Sequence, residues 1–217
     1  MRKLPDIKDQ NATNITHANT SVMGKPTPHE SARLHLTGKA LYIDDIAAPE
    51  GCLHAYVGMA NVACGLLKRQ DLMAVAAANG VVDVVTAKDI PGHVDIGPVF
   101  KGDPLLVEEQ INYFGQPLFA VAATSRDAAR RAALLGKADI EQTSPLLTLE
   151  QAQAAEKQVR PSHSLVKGDS ALALSQSINT LSIEQHVGGQ EHFYLEGQVA
   201  LAIPQDNGGV LVHSSSQ

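Results

Sequence analysis

Cysteine is scarce in this 217-residue chain: only Cys52 and Cys64 occur, and neither belongs to a C-x-x-C pair. That excludes a protein-ligated iron-sulfur cluster or a cysteine-rich zinc site. Both thiols sit beside apolar residues, so buried reduced cysteines are the favoured reading and a disulfide between them the minority one. Clustered basic charge is also missing, and the formal net charge is -6. A nucleic-acid surface or an anionic membrane needs a concentrated cationic face, so neither is an expected partner. No apolar run approaches the length of a membrane span, and the residues after Met1-Arg2-Lys3 are too polar for a signal-peptide core, which makes the cytoplasm the default address. Asn11, Asn14 and Asn19 match N-x-[ST], but without a secretion signal they read as polar tail residues. The patterns of phosphate-binding loops, dinucleotide-binding turns, nucleophile elbows and zincin helices are absent as well. Nine histidines are scattered, with no close i, i+4 pair on a clear helix, and no metal site is assigned.

What is present is an ordinary globular composition, 44% hydrophobic and 18% charged, in a chain long enough for one large or two small cores. Residues 1–29 are polar without hydrophobic period and read as a flexible extension. Leu53, Ala55, Val57 and Met59 alternate with His54, Tyr56 and Gly58, which predicts a half-buried strand. Asp71 caps an expected helix through Ala78, Asn79-Gly80 stops it, and Val81–Val85 follows as a strand. Leu118–Ala123 reads as a buried strand, followed by a helix from Arg126 to Leu135 that Thr124 or Ser125 caps and Gly136 ends. The small residues Ala128, Ala129, Ala132 and Ala133 set that helix close against a sheet. Between these units, segment 91–110 holds three prolines and three glycines and reads as a long excursion.

A domain boundary is placed near 150–165, giving an extension (1–29), a first domain (30–150) and a second (151–217). Leu149–Ala155 and Ser170–Ser175, the latter capped by Asp169, are expected as short helices. Strands are expected at Thr180–Gln185, Val199–Ile203 and Val210–His213, the last two joined by a turn ending Asn207-Gly208-Gly209. The chain stops inside its last strand, so it reads as the front of something larger.

One segment does not suit an ordinary surface turn: Gly188-Gly189-Gln190-Glu191-His192-Phe193-Tyr194-Leu195-Glu196-Gly197-Gln198. Glycines that allow close backbone approach adjoin titratable side chains over an apolar Phe-Tyr-Leu base. From composition alone, a strand crossing with a glycine bulge and exposed carboxylates is the favoured alternative.

At these residues the chain resembles the molybdenum hydroxylase family of xanthine dehydrogenases and aldehyde oxidases, most closely the molybdenum-binding large subunit of the bacterial xanthine dehydrogenases. The likeness spans about 23 to 217, through Gly24-Lys25-Pro26, His29-Glu30-Ser31-Ala32-Arg33, Thr37-Gly38, Tyr42-Ile43-Asp44-Asp45, Phe114-Gly115-Gln116-Pro117, the Gly188 string, and Val212-His213-Ser214-Ser215-Ser216-Gln217. It implies an α+β fold: an α/β-hammerhead domain followed by the opening of a molybdopterin-binding domain. It further implies an oxidoreductase, specifically hydroxylation of hypoxanthine or xanthine at a molybdenum-molybdopterin centre. Electrons would pass through 2Fe-2S clusters and FAD on a partner subunit to NAD, with a homo-oligomer of that heterodimer as an option. The pterin dithiolene holds the metal in this family, so two unclustered cysteines are no contradiction.

By the same resemblance Gln217 falls on the glutamine that approaches the molybdenum oxo ligand, where a neutral amide can donate without adding charge. The family's other cofactor-binding and catalytic segments have no counterpart in these 217 residues. No catalytic residue is transferred, and the chain alone is expected to be inactive and to hold no cofactor. Two alternatives stand beside this reading: a non-enzymatic assembly module, and an aldehyde oxidase-type hydroxylase subunit.

Overall fold

The computed structural model describes residues 23–216, so Asn11, Asn14, Asn19, most of the expected extension, and Gln217 lie outside the described residues. In chain order the elements are α1 (Ala32–Leu36), β1 (His54–Met59), β2 (Gly65–Asp71), α2 (Met73–Ala76), β3 (Val81–Thr86), β4 (Gln110–Ile111), β5 (Pro117–Ala123), α3 (Arg126–Ala133), β6 (Lys137–Gln142), α4 (Leu149–Ala154), α5 (Ser170–Gln176), β7 (Ala200–Pro204) and β8 (Val210–Ser214). Short 3-10 turns occupy Ile43–Asp45 and Ala87–Asp89. Two compact units result: Ala48–Glu191, and the described residues up to Ala47 together with those from His192 onward.

In the Ala48–Glu191 unit the apolar run of β5 lies at the centre of an antiparallel sheet ordered β1-β5-β3. Both faces of β5 are covered: Leu118, Phe119, Val121 and Ala123 are buried. The α3 helix packs by its alanines, with Ala129, Ala132 and Ala133 buried, and Asp127 pairs with Arg130 and Arg131 on the wet side. Ser125, not Thr124, is its cap: its Oγ accepts the Ala128 N–H at 3.2 Å.

Three sequence expectations are corrected here. The inward face of β1 is Tyr56 and Gly58, while Leu53 and Met59 are 45% and 51% exposed. The register explains why: Gly58 stands opposite Phe119, and the ring lies over the glycine. A Cβ at Gly58 would sit 2.1 Å from Phe119 Cζ. Gly136 does not serve as a left-handed helix cap. The helix ends at Ala133, and Gly136 is the second glycine under the same ring, where a Cβ would lie 2.4 Å from Cζ. Third, Thr180–Gln185 is exposed and forms no strand, because no described segment pairs with it. The α2 helix is also shorter than expected, with Leu72 at its N-cap, although Asp71 Oδ1 accepts the Met73 N–H at 3.3 Å.

A second antiparallel sheet, β4-β2-β6, was not legible beforehand. Its β6 strand is largely exposed, whereas Gly65 of β2 and Ile111 of β4 are buried, and Lys68 pairs with Glu141 across β2 and β6. Contact with Lys68 holds the Glu141 carboxyl below the usual carboxylate range. Cys52 and Cys64 are free and half-buried rather than buried, and Cys64 Sγ accepts from Thr143 Oγ1 at 3.1 Å.

The excursion after β3 is built around Asp95. Its carboxylate accepts the N–H groups of Gly97 at 3.0 Å and Gly102 at 2.7 Å, which holds its pKa below the ordinary aspartate value. Below this loop Ala87, Val94 and Leu106 form a small separate core. Among the described residues, no helix is long and apolar enough to cross a membrane.

Candidate functional site

The second unit carries the β7–β8 hairpin, whose turn is closed as the Asn-Gly-Gly sequence requires. Gly208 takes φ +81°, and Asn207 Oδ1 accepts the Gly209 N–H at 2.9 Å. Leu201 and Ile203 are half-buried on β7, and Leu201 pairs with half-buried His213 on β8. The hairpin ends in Ser214-Ser215-Ser216, immediately before Gln217.

The Gly188 string leads into this hairpin without regular secondary structure and is exposed except at Glu196. Gly188, Gly189 and Gly197 would meet nothing within 4 Å if a Cβ were added. Phe193 takes φ +51°, the left-handed region that a side chain rarely adopts. Tyr194 Oη accepts from Gln198 Nε2 at 3.1 Å. His192, Glu191 and Glu196 do not converge, and among the described residues no group of three His, Cys, Asp or Glu could hold a metal ion.

Glu196 does something else. Its Oε1 accepts the N–H of Ile43 at 2.8 Å, at the start of the Tyr42–Asp45 motif. Asp45 Oδ2 accepts the neighbouring Tyr42 N–H at 2.9 Å, so carboxylates hold both leading amides of that turn. Ser215 Oγ donates to the Gly197 carbonyl at 2.8 Å and accepts the Val199 N–H at 2.9 Å. Sequence reasoning treated Glu196 only as one of the titratable side chains of the string. The pairing of two motifs 153 positions apart carries no local signal.

Within the Ala48–Glu191 unit, the Phe114–Pro117 motif forms a tight turn with Gly115 at φ +86°. Gln116 is buried, its Oε1 accepts the Asn112 N–H at 2.7 Å, and it lines a cleft of about 590 Å³ with Leu105, Tyr113 and Val159.

Residues 37–144 match the family model described as aldehyde oxidase and xanthine dehydrogenase, a/b hammerhead domain, and residues 152–217 match that of the molybdopterin cofactor-binding domain. The chain belongs to the molybdenum hydroxylase family. The chain is 32% identical over 187 residues to a xanthine dehydrogenase/oxidase of Gallus gallus, covering 86% of itself and 14% of that protein. It is 34% identical over 183 residues to aldehyde oxidase 3 of Rattus norvegicus, covering 84% of itself and 13% of that protein. Among solved structures it is similar to the aldehyde oxidoreductase of Desulfovibrio gigas, with a TM-score of 0.72, 28% identity, and coverage of 87% of this chain and 23% of that one. The expected fold, a hammerhead domain followed by molybdopterin-binding sequence, is therefore established, and the mixed helices and small sheets are α+β.

The described residues suit one border of a molybdopterin site. The strand end offers neutral hydroxyls and no carboxylate, with Ser214 Oγ and Ser216 Oγ 2.8 Å apart. Gly197, in the same unit, would meet nothing within 4 Å if a Cβ were added.

Proposed function

We propose that this polypeptide is the hammerhead and cofactor-border part of a xanthine dehydrogenase-type large subunit of the bacterial kind. In complete form that subunit hydroxylates hypoxanthine and xanthine. The observation that carries this reading is the match of residues 152–217 to a molybdopterin-binding domain in a chain 32% identical to a xanthine dehydrogenase/oxidase. Molybdopterin, when bound, supplies the oxygen-transfer and electron-accepting chemistry. This chain contributes scaffold, the Ser214–Ser216 hydroxyls, and the Gln217 amide as a neutral hydrogen-bond donor toward the centre. Electrons leave to 2Fe-2S clusters and FAD on a partner subunit and then to NAD. The 217 residues alone lack activity.

A second reading, aldehyde oxidation, is favoured by the 34% identity to an aldehyde oxidase and by the likeness to an aldehyde oxidoreductase structure. Purification of the native complex, with molybdenum, iron and flavin quantified, tests both. Hypoxanthine and xanthine turnover with NAD reduction supports the first reading. Turnover of an aromatic aldehyde without purine turnover replaces it with the second, and a native complex without molybdenum overturns both.

A further inference from the structure

Gln116 is 1% exposed and is the single buried polar side chain among the described residues. Its amide is oriented by the backbone around it. Oε1 accepts the Asn112 N–H at 2.7 Å, while the residue's own N–H donates to the Tyr113 carbonyl at 3.3 Å and its carbonyl accepts the Ala60 N–H at 2.9 Å. Because the Asn112 amide needs an acceptor, the NH2 end of the side chain is turned away from it. That end donates to no described residue, yet Nε2 is not sealed off in the way that the unpartnered Oε1 of Gln70 is. The open space beside Gln116 is the cleft of about 590 Å³, so a buried side chain presents two unused N–H donors to it.

The walls of this cleft are tied by backbone hydrogen bonds. On one side the Ile96 N–H donates to the Asp103 carbonyl at 3.0 Å and the Leu105 N–H to the Val94 carbonyl at 2.9 Å; on the other the Val107 N–H donates to the Pro117 carbonyl at 2.9 Å. Val159 stands at the mouth, and the next residue, Arg160, is held with its guanidinium 4.4 Å from the Phe100 ring centroid. Asp103 is the one carboxylate in the lining, which holds no Lys, Arg or His. An anion would lose its water there without gaining a counter-charge. We propose that the cleft binds a neutral, planar aromatic carbonyl compound, its ring against Leu105 and Pro117 and its oxygen accepting from Gln116 Nε2. The volume lies within the range of small-molecule sites, about 300–1,000 Å³. A ring without the carbonyl would cover the Gln116 NH2 group and leave it unpaired, which is the source of selectivity. The inference uses residues 96–159 alone and does not rest on the reading of the molybdenum centre.

The test uses the native protein in its complete assembled form and three probes of similar size: benzamide, benzoate and aniline. Ligand-observed NMR titration should give benzamide a Kd on the order of 1 mM, as expected for so small a ligand. Benzoate, an anion, and aniline, a neutral ring without the carbonyl, should each bind at least about 3-fold more weakly. Gln116→Leu removes the donor and should weaken benzamide about 3- to 10-fold per folded molecule while leaving aniline unchanged. Val159→Trp narrows the mouth from a wholly exposed position, where folding is not at risk, and should weaken benzamide and aniline alike. If Gln116→Leu fails to fold, the ranking of the three probes on wild type and the Val159→Trp titration decide the matter. The proposal is overturned if benzamide does not bind, if benzoate or aniline matches it, or if either folded variant keeps the wild-type benzamide Kd. Benzamide binding that neither variant changes belongs to another site and counts against the proposal.

Discussion

Replacing Gly58 by alanine should be among the most damaging single-methyl additions in the Ala48–Glu191 unit. The added Cβ would lie 2.1 and 2.2 Å from Phe119 Cζ and Cε1, against a comfortable carbon separation of about 3.5 Å. The ring tip cannot simply slide away, because Gly136 already lies beneath the same atom, where a Cβ would be 2.4 Å distant. Overpacking of a tight core costs about 1–3 kcal/mol, and a ring lodged on two glycines puts this case near the top of that range. Reduced backbone freedom in the unfolded chain returns only about 0.5–1 kcal/mol. A net loss of about 2 kcal/mol corresponds to a Tm decrease of roughly 4–8 °C for a chain of this size. The assay is reversible urea and thermal unfolding followed by circular dichroism, on wild type, Gly58→Ala, Phe119→Leu and the double variant. Leucine lacks the ring tip, so Gly58→Ala should become nearly harmless in that background, giving a coupling of about 1.5–2 kcal/mol. A Gly58→Ala protein within about 0.5 kcal/mol of wild type, or an equal cost in both backgrounds, would refute the packing argument.

Asp95 should make the excursion loop acid-sensitive. Its carboxyl pKa is lowered in the folded chain, first by the Gly97 N–H and then by that of Gly102, so its contribution is present above the unfolded pKa and is lost as pH falls through the folded one. Amide exchange at Gly97 and Gly102 should therefore accelerate in acid below the normal aspartate range, and Asp95→Ala should show the fast rate at neutral pH. Ser125→Ala removes the acceptor for the Ala128 N–H and should cost about 1 kcal/mol in urea unfolding, while Ser125→Asp should cost much less. Gln116→Leu removes the buried side-chain acceptor of the Asn112 N–H, which lies in an otherwise exposed turn, and should destabilise by about 0.5–1.5 kcal/mol; wild-type stability would show that water replaces the bond.

The best-read elements were those whose own residues decide them. The β5 strand was visible because Leu118–Ala123 is apolar on both faces, and α3 because its alanines repeat at helical spacing beside a capping serine. The hairpin turn followed from Asn-Gly-Gly chemistry. The inward face of β1 was misread because Gly58 contributes no apolar side chain of its own; it is core only because Phe119 lies across it from another strand. The β2 and β6 strands escaped notice because the charged Lys68, Arg69, Lys137 and Glu141 interrupt their apolar pattern, leaving only Leu67 and Ile140 packed against the main core. At the candidate site the string at Gly188 was recognisable and the special standing of Glu196 was not, since its partner Ile43 is defined only by the folded chain. Gln217 lies outside the described residues, so its assignment rests on motif position.

The Ile43–Glu196 bond also bears on the order in which the chain can fold. Its two ends flank the whole Ala48–Glu191 unit and stand 153 positions apart. Closing a flexible loop of that length carries a length-dependent entropy cost of about 4–5 kcal/mol, more than one hydrogen bond returns. The bond therefore becomes favourable only once the intervening unit has folded and shortened the search. On a ribosome the two sheets of the Ala48–Glu191 unit can assemble as soon as β6 emerges, whereas the turn at Ile43 must wait for Glu196 before it gains its carboxylate acceptor.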